Sequence, residues 1–141
     1  MKNRILLISV KPEFANKIME GSKTIELRKS APKTEEGDLI VIYSTMPEKA
    51  VLGIGTVGEI IKSSPEEIWL NHSEQLGIDK LRFDQYYSGH SSAIGIAINN
   101  IRKYTEKVPL SLIKEKFPRF SPPQTFRYLN EDESLKNFLL A

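Results

Sequence analysis

From Arg4 to Val10 the chain is apolar at almost every position after the arginine, which predicts a first strand buried on both faces. Pro12 then suits the opening turn of a helix; Phe14 and Ile18 share one face of it, and Gly21 stands where a left-handed cap would end it. Thr24 to Lys29 predicts a second strand, Ala31 to Gly37 a polar loop, and Leu39 to Tyr43 a third, heavily apolar strand. Val51 to Ile61 predicts a fourth. Inside it, Gly53-Ile54-Gly55-Thr56-Val57-Gly58 is a formal match to GxGxxG. A dinucleotide fingerprint needs its glycines at a turn feeding a helix, whereas Ile54, Thr56, Val57 and Ile60 favour continued strand. Gly53 and Gly55 therefore predict a bend, or a close approach by another element.

Ser64-Pro65-Glu66-Glu67 is a capping box with proline at the first helical position, and it predicts a helix carrying Ile68, Trp69 and His72. Asp79 to Ser88 predicts another, ending at Gly89, in which Phe83, Tyr86 and Tyr87 form an aromatic cluster suited to packing or to stacking on bases. Ile94, Ile96 and Ile98 alternate with small or polar residues in a strand running toward Tyr104. Leu110 to Phe117 predicts a short helix before Pro118, and Asn130 to Glu133 can cap a final helix holding Leu135, Phe138 and Leu139. No repeat, low-complexity tract or linker divides the chain, so a single domain over residues 1–141 is expected. A chain of that length buries about 68–70% of the surface its unfolded form exposes, enough for an independent core.

Charge narrows the function only locally. Twenty basic and 18 acidic residues leave a formal charge of +2, which does not by itself demand a nucleic-acid partner. The longest basic stretch lies between Arg102 and Arg119, where Arg102, Lys103, Lys107, Lys114, Lys116 and Arg119 face Glu106 and Glu115; phosphate contacts or a solvated surface both fit it. Cysteine is absent, which removes thiol catalysis, disulfides and the usual zinc sites. The two histidines, His72 and His90, lack metal-ligand spacing, so neither metal nor other cofactor is expected. Ile5 to Val10 is too short for a signal-peptide core or a membrane span, and a soluble cytoplasmic protein is the default expectation.

Gly21-Ser22-Lys23-Thr24-Ile25-Glu26-Leu27-Arg28 puts three charged groups within six residues at the junction between a predicted helix and a predicted strand. Read as a strand with period two, it sends Ile25 and Leu27 to one face and Thr24, Glu26 and Arg28 to the other, with Lys23 at the mouth. A carboxylate flanked by two cations suits a ligand that offers both donors and acceptors, such as a base edge joined to a phosphate. The plain alternative is a solvated strand face carrying a Glu26/Arg28 pair.

The pattern Gly-x-Lys-x-x-Glu-x-Arg, preceded by Ser9-Val10-Lys11-Pro12 and a short helix, resembles the ASCH domain of the PUA-like superfamily. Gly37-Asp38 before the third strand, Ser44-Thr45-Met46-Pro47 after it, and Pro123-Gln124-Thr125-Phe126-Arg127-Tyr128 late in the chain agree with that resemblance. It implies an α+β fold: a small, partly open β-barrel flanked by short helices, with a cleft beside the Gly-x-Lys motif and a role in recognising RNA or a modified nucleotide. Lys11, Lys23, Glu26 and Arg28 are then candidate ligand contacts. Tyr43 and Tyr128 can stack on a ring, Ser44, Thr45, Gln124 and Thr125 can complete polar readout, and Lys49 is a further candidate cation.

Some ASCH relatives resemble small amidohydrolases that remove an acetyl group from acetylated cytidine with a Lys, a Thr and a Glu, in a motif reading Gly-x-Lys-x-x-Thr-x-Arg. Here the nucleophile's position holds Glu26, and the nearby hydroxyl, Thr24, lies two residues earlier. An enzyme built on Lys23, Glu26 and Thr24 would have to use Glu26 as a general base on water. Binding is the expected function, hydrolysis of an acylated nucleoside the alternative, and a protein-interaction adaptor a third reading.

Overall fold

The computed structural model describes residues 3–140, arranged as β1 (Ile5–Val10), α1 (Pro12–Glu20), β2 (Ile25–Arg28), β3 (Leu39–Ser44), β4 (Ala50–Ser63), α2 (Pro65–His72), a 3₁₀ turn (Ser73–Gln75), α3 (Lys80–Tyr86), β5 (Ala93–Pro109), α4 (Leu110–Lys116), β6 (Phe126–Tyr128) and α5 (Glu133–Leu140). The strands form one curled six-stranded sheet, in the order β2-β5-β4-β3-β1-β6. Only β1 and β3 pair in parallel; the other neighbours are antiparallel.

β1 is buried along its whole length, as its unbroken apolar run requires. Leu6 and Ile8 meet Ala15, Ile18 and Met19 of α1 on one face of the sheet. Ile5 and Leu7 meet Ile113 of α4 and Leu135 and Leu139 of α5 on the other. A third cluster lies at the β2 end, where the α2 to α3 segment packs Ile68, Leu76, Phe83 and Tyr87 against Ile25 and Leu27.

The long β4–β5 pair supplies the curl. Thr56 faces Asn99 and Ile54 faces Arg102, so two residues of β5 oppose the single Gly55, and Asn100 takes a positive φ of 52°. A Cβ on Gly53 would lie 2.4 Å from the Arg102 carbonyl oxygen. The GxGxxG match is thus a place where one backbone presses against another, in the middle of a strand.

The curled sheet stops short of closing, and side chains span the gap. Arg28 Nη2 on β2 donates to the Ser9 carbonyl on β1 at 2.9 Å, and the Tyr128 hydroxyl on β6 donates to the Lys33 carbonyl at 2.6 Å. Helix starts follow the sequence signals: Ser64 Oγ accepts from Glu67 N–H, Asp79 Oδ1 from Arg82 N–H, and Asp132 Oδ1 from Leu135 N–H. Asn130 turns away from α5 to accept from Ile5 N–H at 2.9 Å. β2 is shorter than expected at both ends, and β5 runs on past Tyr104 to Pro109, held by pairing with Ala50.

Asp38, 1% exposed, locks the entry to β3. Its Oδ1 accepts from Arg4 N–H at 2.9 Å, and its Oδ2 from Thr34 Oγ1 at 2.7 Å and Glu35 N–H at 2.9 Å. Burial alone would raise its pKa, but these donors outweigh burial and hold it below the ordinary aspartate value. The stabilisation is therefore present above the unfolded-state pKa and is lost as pH falls through the lower folded value. Asp38→Asn should cost about 1.5–3 kcal/mol at pH 7, with the gap to the native protein closing in strong acid, as read from urea unfolding across a pH series.

Candidate functional site

Glu26 and Arg28 share a face because β2 keeps its period of two, and Lys23, in the loop just before the strand, brings its Nζ to 4.0 Å from Glu26 Oε1. Ile25 and Leu27 are spent on the third core cluster, which leaves Glu26 and Arg28 on the face turned toward α1 and β1. There they line a cavity of about 200 Å³ together with Ser9, Val10, Lys11, Phe14, Lys23, Leu27, Ile78 and Tyr86. One wall comes from α1 through Phe14, the opposite one from the α2 to α3 segment through Ile78 and Tyr86.

Lys23 is 3% exposed, an unusual burial for an ammonium. Its Nζ donates to the Leu76 carbonyl at 2.6 Å, stands 5.3 Å from the centre of the Phe14 ring and lies 4.0 Å from Glu26 Oε1. Desolvation lowers its pKa, and the Glu26 charge works against that shift without cancelling it. Gly77 makes the burial sterically feasible: its φ is +63°, and a Cβ there would come within 2.7 Å of Lys23 Cβ. Lys17 Nζ donates to the Gly77 carbonyl at 2.9 Å, so two lysines hold adjacent peptide groups of this turn.

Glu26 Oε2 pairs with Arg28 Nη2 at 2.8 Å, while its Oε1, 4.0 Å from Lys23 Nζ, accepts no hydrogen bond from the described residues. Arg28 Nε is buried and has no hydrogen-bond partner among the described residues. The floor of the cavity therefore combines a carboxylate oxygen free to accept, an ammonium and a guanidinium. At the rim Lys11 is exposed; Lys29, exposed and outside the lining, holds its Nζ 4.7 Å from the centre of the Tyr86 ring on the cavity wall. α1 and α3 are tied across the rim by Arg82, whose two terminal nitrogens reach the Glu13 oxygens at 2.7 and 2.8 Å. Those bonds carry the Glu13 pKa down to about 2.

Of the residues expected to contact a ligand, Lys11, Lys23, Glu26 and Arg28 are gathered here, and the others are elsewhere. Tyr43 is 2% exposed in the core on the far face of the sheet, so it has no ring surface to offer a base. Ser44 is fully buried and donates to Glu48 Oε1 at 2.8 Å; Thr45 and Lys49 belong to the turn that follows β3. Gln124 and Thr125 are exposed, and their segment contributes backbone: Ser9 N–H donates to the Thr125 carbonyl, and Ser9 Oγ to that of Pro123. Tyr128 lies against Phe126, with its hydroxyl committed to Lys33. Thr24 does not line the cavity, which separates its hydroxyl from the Lys23/Glu26 pair. No residue between Arg102 and Arg119 lines it either. The sequence pattern did not assign Phe14 and Ile78 to a site; only their positions on either side of β2 bring them in.

Among the described residues no three His, Asp or Glu side chains gather in a metal-holding group, and no helix is long and apolar enough to cross a membrane. With the folded pKa of Lys23 below its unfolded value, the unfolded chain binds the extra proton in the interval between them, so stability contributed by this residue rises with pH there. Relative to Lys23→Met, the native protein should gain stability as pH climbs toward the ordinary lysine value of 10.5, measured by urea unfolding of both proteins in parallel.

Comparison with known proteins agrees with this architecture. The ASCH domain family model matches residues 8–119. The chain is 28% identical over 130 residues to a Zymomonas mobilis protein named an ASCH domain-containing ribonuclease, an alignment covering 92% of this chain and 87% of the relative. A crystal structure of the ASCH protein from Zymomonas mobilis superposes with a TM-score of 0.88 at 26% identity, covering 97% of this chain and 96% of the other. Human THYN1, solved in complex with 5-methylcytosine-containing DNA, shares the fold at a TM-score of 0.56 and 11% identity, covering 96% and 97%. With its Lys23, Glu26 and Arg28 side chains meeting beside a half-closed, curled sheet, and with most of its length matched by the family model, this chain belongs to the ASCH domain family.

Proposed function

We propose that the chain is an RNA-binding domain and that the Lys23/Glu26/Arg28 cavity receives a single base with its attached phosphate. The observation that carries this reading is the free Oε1 of a nearly buried Glu26 between two cations, at the bottom of a cavity flanked by Phe14 and Tyr86. Glu26 accepts from an exocyclic amine or ring N–H, the aromatic walls cover the ring faces, and Lys11 and Lys29 at the rim meet the phosphate. A binding site of this kind recognises a base taken out of its stack, so single strands and loops are the natural targets.

The name carried by the Zymomonas mobilis relative favours a second reading, cleavage of the bound strand. In that chemistry Glu26 takes the proton of the ribose 2′-hydroxyl as that oxygen attacks the neighbouring phosphorus, Lys23 or Arg28 offsets the charge gathering on the phosphate, and the 5′-oxygen leaves with the electrons of its bond to phosphorus and takes a proton from water, leaving a 2′,3′-cyclic phosphate. Removal of an acetyl group from cytidine would have to run through water activated by Glu26, because the hydroxyls of Thr24, outside the cavity, and of Ser9, held by the Pro123 carbonyl, do not serve as nucleophiles.

Glu26→Gln separates these readings. For binding alone, affinity for ribonucleoside monophosphates measured by calorimetry should weaken by about 1–3 kcal/mol, with no turnover by either protein. For cleavage, 5′-labelled RNA should be cut by the native protein and left whole by the variant while binding persists. Free cytidine released from acetylated cytidine, and lost in the variant, would instead make the chain an amidohydrolase. Unchanged nucleotide affinity in Glu26→Gln, with no turnover of either substrate, would remove the cavity from consideration.

A further inference from the structure

The basic stretch from Arg102 to Arg119 lies away from the cavity. α1 and the pair α4 and α5 pack on opposite faces of β1, so the ground beside α5 lies across the sheet from Phe14 and its cavity. Two grooves run there. One, of about 510 Å³, is lined by Arg102, Lys103, Tyr104 and Phe138 among others; the second, of about 410 Å³, by Lys116, Phe117, Arg119 and Arg127 among others.

Phe138 joins them. Its ring lines the first groove, stands 5.7 Å from the Phe117 ring of the second, and has Lys116 Nζ above it at 5.5 Å. Cations meet aromatic rings further along in both directions, with Arg102 5.9 Å from the centre of Tyr104 and Arg127 6.0 Å from that of Phe120. Tyr104, Phe117 and Phe138 are half-buried, each fixed by packing yet leaving ring surface in reach of solvent. Acidic groups are fewer: Glu106 lines the first groove and Asp132 the second, where it stands 3.8 Å from Arg127. Among the described residues Lys103 and Arg119 have no carboxylate within ion-pair distance, which leaves their charge available to an outside anion.

We propose that this face is a second RNA-binding site, one that takes a run of single strand by its phosphates and rests bases on Tyr104, Phe117 and Phe138. Cations spaced between rings match a polymer whose anionic links alternate with flat, stackable groups. An acidic protein segment would use the cations and leave the rings idle. The ligand class rests on the RNA reading given above; the location does not, because no residue is shared with the Glu26 cavity.

The test uses the full chain and the double variant Arg102→Ala/Arg119→Ala, which takes one exposed cation from each groove. The probes are a fluorescein-labelled uridine 12-mer, an abasic 12-mer with the same phosphates, polyglutamate as competitor, and the four ribonucleoside monophosphates. The variant should bind the uridine 12-mer more weakly, with the slope of log affinity against log salt reduced in magnitude by about 1.4, the release expected for two lost phosphate contacts on a single strand. Its affinity for monophosphates should match that of the native protein, and the abasic 12-mer should bind the native protein more weakly than the uridine 12-mer. An unchanged slope and affinity for the 12-mer would overturn the proposal. So would equal binding of the abasic strand with ready displacement by polyglutamate, which would make the face a general polyanion or acidic-protein surface. If monophosphates fail to bind while the slope still changes, the cavity reading falls and this one stands; the converse result spares the cavity alone.

Discussion

The burial of the Lys23 ammonium is the constraint on which the candidate site depends. Taking such a group out of water costs several kcal/mol, and no single partner offsets that. Here the offset is divided among the Leu76 carbonyl in the loop before α3, the Glu26 carboxylate on β2 and the face of the Phe14 ring on α1. Each of those segments is thereby fixed in relation to the other two. Glu26 also engages Arg28, and Arg28 reaches the Ser9 backbone, so the charges that shape the cavity also bridge the gap where the curled sheet fails to close. An apolar filling of the same gap would pack as well and offer a ligand nothing.

The cavity and the α5 face stand differently toward the family. Every residue lining the cavity falls between Ser9 and Tyr86, inside the matched segment, whereas Arg127 and Phe138 of the second face lie beyond it. The family match thus spans the whole of the first surface and, of the second, only the part between Arg102 and Arg119. The two are also built differently. In the cavity Lys23, Glu26 and Arg28 are withdrawn from solvent; beside α5 the cations lie on an open surface, where each counts for little alone and several count together.

Much of the fold was legible because it rests on local rules. The double-sided burial of β1, the start of α2 at Ser64 and the stop of α1 at Gly21 each follow from a few neighbouring residues. So did half of the site, since the alternation from Ile25 to Arg28 separates the core face from the polar face without reference to anything else. What the sequence left hidden was tertiary. Tyr43 and Lys11 look equally able to meet a ligand, and only the side of the sheet on which each lies tells them apart. Tyr86 and Phe14 read as packing residues within their own helices and become cavity walls only because α1 and α3 stand on either side of β2. Ser9 likewise owes its place to bonds with Pro123 and Thr125, more than a hundred residues away.

That last connection bears on the order in which the molecule can be completed. The outer edge of β1 is covered by β6, through the pairing of Leu6, Leu7 and Ile8 with Tyr128, Arg127 and Phe126. A chain emerging from its N-terminal end has β1 long before it has β6, and until then a fully apolar strand presents a row of unpaired backbone donors and acceptors along one side. Open edges of this composition invite pairing with other chains. The short strand that finishes the sheet thus acts as a cover for its oldest part, and the interval before it docks is when the nascent protein is most exposed to wrong partners.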